Sequence, residues 1–183
     1  MYNLYNEGWI EVICGCMFAG KSTELIRRVQ TLAFAKKKIA IFKPSVDTRY
    51  SETEVVTHDG IKIKCYSIKD PKEILKLKGD VNAVAIDEVQ FFDNSIVEVC
   101  EQLANQGIRV MVAGLDLDYT GKPFGPIPEL LARAEFITKL TAVCVDCGAP
   151  ATRTERIVGS KDKVELGAAD KYVAKCRKHH HVH

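Results

Sequence analysis

Apolar and polar positions alternate between two rhythms along this chain. Residues 9–14 are a short apolar run, broken by a glycine-bearing turn; across residues 22–36, Leu25, Ile26, Val29, Leu32 and Ala33 then recur at helical spacing. Strand, loop and helix follow in that order. Residues 39–42 predict a second short strand, 44–59 a polar loop long enough to be functional, and 61–66 a weaker alternating strand. Residues 81–86 and 109–114 are continuous apolar runs of the kind buried on both faces of a sheet, and between them residues 95–105 form an amphipathic helix with Asn94 placed to cap it. The stretch 115–128 turns to glycine, proline and tyrosine. A short helix near 129–134 and a last strand over 136–143 complete the pattern. Strands alternating with helices predict a parallel α/β sheet.

Composition narrows the picture. The 183 residues suffice for one main core with room for a small appended module. Lys plus Arg is 26 against 24 for Asp plus Glu, so a net charge of +2 supplies no broad field for nucleic acid or anionic lipid. The seven cysteines are odd in number and show no secreted disulfide framework, which favours a reducing compartment. The opening MYNLYNEGWIEV has neither a basic nor an apolar targeting segment, and no apolar run approaches the roughly 18 residues of a membrane span. These features predict a cytoplasmic protein with neither nucleic acid nor membrane as a partner.

The turn after the first strand reads Gly15-Cys16-Met17-Phe18-Ala19-Gly20-Lys21-Ser22, which matches G-x-x-x-x-G-K-[ST] between a strand and a helix. In that setting the loop's backbone amides, from Gly15 through Met17, Phe18, Ala19 and Gly20, turn toward phosphate oxygens. Lys21 reaches the β- and γ-phosphates, and the Ser22 hydroxyl ligates Mg²⁺. The run Val84-Ala85-Ile86 ends in Asp87-Glu88. The pair closes the strand, where neighbouring side chains point to opposite faces, which assigns Asp87 to Mg²⁺ and frees Glu88 to take a proton from an acceptor alcohol or water. A kinase and an ATP-hydrolysing motor both satisfy that pair.

Residues 144–183 hold three of the seven cysteines and four of the five histidines. Cys144-x-x-Cys147 and Cys176-x-x-His179 are two ligand pairs suited to tetrahedral Zn²⁺ with no position open to water, a structural site. Pinning both ends of the long segment 148–175 would fix the root of a closing lid. A zinc ribbon for nucleic acid or a protein partner is the competing use, weakened because the segment's Lys and Arg are interspersed with Asp and Glu. Cys14, Cys16, Cys65 and Cys100 lie in or beside apolar stretches and read as small buried hydrophobes.

The phosphate loop, Asp87-Glu88-Val89-Gln90-Phe91-Phe92, the segment Gly167-Ala168-Ala169-Asp170-Lys171-Tyr172 and Cys176-Arg177-Lys178-His179 together resemble the family of thymidine kinases that includes the cytosolic human-type (type II) enzymes. The resemblance runs through nearly the whole chain. It implies a RecA-like P-loop core over residues 1–143 and a zinc-bearing lasso over 144–183. It further implies ATP and thymidine as substrates, dTTP as feedback inhibitor, and a homotetramer. By the same resemblance Glu88 is the catalytic base, and Asp47 and Arg49 of Asp47-Thr48-Arg49 are substrate-side contacts. Met17, Gln90, Phe91, Leu115, Tyr119 and Phe124 line the nucleoside pocket, and Thr154, Arg156 and Tyr172 belong to the lasso above it. The sequence departs from the family at His179, where cysteine is commoner and where His180 or His181 could substitute, and at Leu117 and Asp118, where small residues are expected.

Overall fold

The computed structural model describes residues 8–45, 51–56, 62–157 and 171–182. Its centre is a seven-stranded sheet. The strands are β1 (Trp9–Gly15), β2 (Ile39–Pro44), β3 (Ser51–Val56), β4 (Lys62–Ile68), β5 (Ala83–Ile86), β6 (Arg109–Leu115) and β7 (Phe136–Leu140), ordered β3-β4-β2-β5-β6-β1-β7. Every pairing is parallel except β3 with β4. This is the P-loop α/β core expected from the sequence, with β6 lying between the strand that carries the phosphate loop and the strand that ends before Asp87.

The apolar runs are continuous because both faces of the sheet are covered. Ile13, Ala83, Ala85, Met111 and Ala113 face helix α1 (Lys21–Phe34) and meet its buried Leu25, Val29 and Ala33. The alternate positions Val12, Cys14, Val84, Ile86, Val110 and Val112 join the opposite cluster, with Ile96, Cys100 and Leu103 of α3 (Ser95–Asn105). Alanines on the α1 side let that helix lie close to the sheet and bring its N-terminus onto the loop that closes β1. Two short helices complete the core, α2 (Glu73–Leu77) and α4 (Ile127–Arg133).

Three expectations are corrected. The polar stretch 44–59 contains β3, paired antiparallel from Ser51↔Ser67 to Val56↔Lys62. An edge strand draws its ladder from one neighbour's backbone and tolerates polar side chains, so composition alone hid it. The strand over 136–143 is two strands. β7 ends the large sheet at Leu140, and β8 (Ala142–Val143) pairs instead with β9 (Pro150–Ala151) in the C-terminal module, where β10 (Arg153–Arg156) and β11 (Tyr172–Lys175) form a second hairpin-like pair. Asn94 makes no side-chain cap to α3; the Asp93 carboxylate takes that place, accepting from the Ser95 amide at 2.8 Å and from the Ser95 hydroxyl.

Candidate active site and metal centre

The phosphate loop leaves β1 at Gly15, whose φ of 144° and crowded surroundings require glycine: a Cβ there would lie 2.3 Å from the Leu140 carbonyl oxygen of β7. Gly20 caps α1 in the left-handed region at φ 84°, and Phe18 shares that region at φ 66° with its ring exposed. Met17 and Ala19 are half-buried and Ser22 is exposed at the helix start. Lys21 is buried, and its ammonium donates to the Cys16 carbonyl at 2.7 Å, which holds the loop around it. Burial lowers the Lys21 pKa from its ordinary value, and the negative charges of Glu88, Asp87 and Asp116 oppose that shift. These acids therefore share one electrostatic neighbourhood with the phosphate-loop lysine.

β5 stops at Ile86, so Asp87 and Glu88 lie beyond it and strand alternation does not separate them. A left-handed turn does the work instead. Asp87 is anchored by its amide to the Phe42 carbonyl at 2.9 Å, and its Oδ1 accepts the Glu88 amide at 2.9 Å. Glu88 sits at φ 52°, ψ 38°, unusual for a residue with a side chain, and a single 3₁₀ turn, Val89–Phe91, follows. Glu88 Oε2 accepts from Gln90 Nε2 at 2.5 Å, and Gln90 Oε1 accepts the Leu115 amide at 3.1 Å. Gln90 and Leu115, two residues expected at the nucleoside, are thus joined to Glu88. Phe91 meets Phe124 edge to face at 5.7 Å between ring centroids.

Sequence reasoning gave no role to Asp116, which follows β6 and is 5% exposed. Neither of its oxygens accepts a hydrogen bond of good geometry, and the Lys139 ammonium lies 2.8 Å from Oδ2 as a charge contact. Burial first, and the Asp116 charge second, push the neighbouring Cys14 thiol up to about 11, so that thiol stays protonated. An acid directly after a buried strand was the available signal.

The C-terminal module reaches the same loop. Thr154 Oγ1 accepts the Met17 amide at 3.0 Å, and the Cys16 thiol donates to the Ala151 carbonyl at 3.2 Å. The Arg156 guanidinium lies 3.9 Å from the Tyr119 ring centroid and 5.4 Å from that of Tyr172, and Nη2 donates to the Tyr172 hydroxyl at 3.0 Å. Tyr119, Arg156 and Tyr172 therefore come together. The departure at Asp118 has a local reason: its buried Oδ1 accepts from the Thr120 amide and hydroxyl and from the Lys122 amide, closing the turn that presents Tyr119. Asp47 and Arg49 lie outside the described residues.

The ligand atoms of Cys144, Cys147, Cys176 and His179 all lie within 4.8 Å of one another. His179 Nδ1 is 3.4 Å from Cys176 Sγ and 3.8 Å from Cys144 Sγ, and Cys147 Sγ is 3.8 Å from Cys176 Sγ. Zn–S bonds of about 2.3 Å in a tetrahedron put sulfurs about 3.8 Å apart, so the set fits structural zinc. His180 Nε2 instead meets the Tyr119 carbonyl oxygen at 2.9 Å, which leaves His179 as the histidine of the cluster.

A model of the family described as thymidine kinase matches residues 8–180. The chain belongs to the thymidine kinase family. Among solved structures, the Legionella pneumophila ATPase DotB is similar at 14% identity with a TM-score of 0.44, covering 70% of this chain and 35% of that one, a likeness too distant to carry an argument. In this thymidine kinase family member the metal cluster and the phosphate loop share one apolar cluster: Cys16 packs with Ala142, Cys144, Ala151, Ala174 and Cys176, and Ala19 packs against it. Burial raises the Cys144 thiol, but amide hydrogen bonds from Cys176, Asp146 and Cys147 together with His179 outweigh it and bring the thiol to about 6, the thiolate form that a zinc ligand needs. The kinase has no helix among its described residues long and apolar enough to cross a membrane.

Proposed function

We propose that this family member is a cytosolic human-type (type II) thymidine kinase that transfers the γ-phosphoryl group of ATP to the 5′-hydroxyl of thymidine, giving dTMP for DNA precursor synthesis. The observation that carries the reading is the exposed Glu88 carboxylate, set on a left-handed turn within the electrostatic reach of the phosphate-loop lysine. A base beside the bound triphosphate, and outside the phosphate loop itself, suits an alcohol acceptor.

In this reading the loop amides, Lys21 and the N-terminus of α1 hold the triphosphate. The Ser22 hydroxyl and Asp87 would hold the Mg²⁺ that accompanies ATP, which would supply neutralisation of phosphate charge there. The acceptor 5′-oxygen forms a bond to the γ-phosphorus, the bond from that phosphorus to the β–γ bridging oxygen breaks with its electrons leaving on ADP, and the hydroxyl proton passes to Glu88. Phe91, Phe124, Leu115 and Met17 wall the nucleoside, and Thr154, Tyr119, Arg156 and Tyr172 close over it, with Asp47 and Arg49 as the remaining contacts. The Cys₃His cluster would hold Zn²⁺ for structure, with the P-loop core over 1–143 and the lasso over 144–183. Feedback inhibition by dTTP and a homotetramer belong to the same reading, as does a reducing cytoplasm, in keeping with seven cysteines of which none is joined in a disulfide.

Glu88→Gln tests it. The amide keeps the size and can still hydrogen-bond the hydroxyl but cannot take its proton, so kcat should fall by roughly 10² to 10⁴, the usual worth of a positioned base. ATP and thymidine affinities by calorimetry should stay near wild type, whereas Asp87→Asn should weaken the Mg²⁺-dependent use of ATP. Retention of more than about half the wild-type kcat would remove the base assignment.

A further inference from the structure

We propose that Gln90 is a positioning residue: its amide clamps the Glu88 carboxylate to the end of β6 and so aims it at the acceptor hydroxyl. The inference rests on the reading of Glu88 as the base. Gln90 is 2% exposed, and both ends of its amide are engaged inside the protein, Oε1 by the Leu115 amide and Nε2 by Glu88 Oε2. The orientation of the amide follows from its partners. A backbone N–H needs an acceptor and an ionised carboxylate needs a donor, so one assignment satisfies both. Each polar atom of this buried side chain already has a partner inside the protein, and the partner that bears on the acceptor is Glu88. Its effect on the reaction therefore passes through Glu88.

The surroundings hold the clamp in place. A Cβ at Gly114 would stand 2.6 Å from Gln90 Oε1 and 2.9 Å from the Val89 side chain, and one at Gly125 would stand 2.6 Å from the Gln90 carbonyl oxygen, where the backbone is already at φ 49°. Two glycines thus let β6 and the turn before α4 close directly onto Gln90. Leu115, the other end of the clamp, is in register with Gly15 of the phosphate loop. The base and the loop that holds the transferred phosphoryl group are consequently fixed to the same rung of the sheet. Glu88 needs that fixing, because a left-handed conformation outside glycine persists only where neighbours over-determine it. Oε2 is held, and among the described residues Oε1 accepts no hydrogen bond, which leaves one oxygen of an exposed side chain for the hydroxyl.

The test is a kinetic double-mutant cycle with Gln90→Met, which keeps the volume and removes both hydrogen bonds, and Glu88→Gln. Misplacing a catalytic group by an ångström can cost about 100-fold, so Gln90→Met alone should lower kcat by roughly 10- to 100-fold while the thymidine KM stays within about 3-fold. In the Glu88→Gln background the same change should cost less than about 2-fold, since a positioning residue has nothing left to position. Equal losses in both backgrounds, an unchanged kcat, or a raised KM with kcat intact would overturn the clamp; the last would make Gln90 a direct nucleoside contact. If Gln90→Met does not fold, Gln90→Glu keeps both the volume and the acceptor for Leu115 but places an oxygen where Glu88 requires a donor. It should show the same loss in kcat with ATP affinity unchanged, and wild-type kcat there would equally refute the proposal. Full activity in Glu88→Gln removes the base reading itself, whereas an impaired Glu88→Gln with additive Gln90 losses removes the clamp alone.

Discussion

At the scale of single residues, one heavily partnered charge lies away from the candidate active site. Glu11 on β1 is 4% exposed and accepts from Trp9 Nε1 at 2.6 Å, Arg28 Nη1 at 2.7 Å and the Arg109 guanidinium, with the Arg109 cation also 5.7 Å from the Trp9 ring centroid. Burial by itself would raise its pKa, but the hydrogen bonds from Arg109, Trp9 and Arg28 and the charge of Arg109 outweigh burial, and the folded pKa lies below the ordinary glutamate value. A carboxyl with a depressed folded pKa contributes stability that is present above its unfolded pKa and disappears as the pH falls through the folded one. Glu11→Gln should therefore cost about 2 kcal/mol near pH 7, because it leaves the half-buried guanidiniums of Arg28 and Arg109 without their carboxylate. The gap should narrow in acid, as the pH falls through the lowered folded pKa and the wild-type carboxyl also loses its charge. Urea unfolding of both proteins at the two pH values measures this, and a gap that does not change with pH would show that packing, not charge, holds the site.

At the scale of elements, the turn from Asp118 to Lys122 acts as a support for one aromatic ring. Asp118 donates its amide to the Lys122 carbonyl and accepts three hydrogen bonds through Oδ1; Tyr119 is then gripped by His180 at its carbonyl and by the Arg156 cation on its ring. Asp118→Ala removes an acceptor from three donors at about 1 kcal/mol each, enough to loosen the turn without threatening the sheet. The expected outcome is a thymidine KM raised on the order of 10-fold, with ATP affinity near wild type, and recovery in Asp118→Asn, which keeps the oxygen. An unaltered KM would detach this turn from the nucleoside site. Elements of this kind were only half legible in the sequence. Strand, loop and helix around Gly15–Ser22 could be read because their signals are local, and so could the Cys144-x-x-Cys147 and Cys176-x-x-His179 pairs. The turn at Asp118 looked like an anomaly because its function depends on Arg156 and His180, which are far away in sequence. Likewise β3 could not be read, since what makes it a strand is β4's backbone.

At the scale of the whole molecule, the link between the two chemical centres runs through contacts that join residues more than a hundred positions apart. Thr154 and Ala151 reach Met17 and Cys16 across separations of 137 and 135 residues, and the apolar cluster that buries Cys144 and Cys176 also contains Cys16. No local pattern encodes such pairs, which is why the sequence pointed to a phosphate loop and a metal site without pointing to their contact. The contact changes what metal loss should do. If zinc served only a lid over the nucleoside, its removal would weaken thymidine and spare ATP. Because the ligand thiols pack against the phosphate loop itself, releasing them should loosen Cys16 and free the Met17 amide from Thr154, so that both substrates suffer while the large sheet stays folded. We expect about one zinc per chain in untagged protein, as a Cys₃His tetrahedron holds one ion. Cys144→Ala should lose the metal and weaken both thymidine and ATP by roughly 10-fold or more, the scale of a 1.4 kcal/mol loss. The core, buried independently in the two clusters on either face of the sheet, should keep its far-ultraviolet circular dichroism. Metal analysis, calorimetry with each substrate and circular dichroism on the same samples separate the possibilities. Loss of thymidine binding with ATP binding intact would confine the metal's influence to the nucleoside side, and protein free of zinc with full activity would end the assignment of a structural metal.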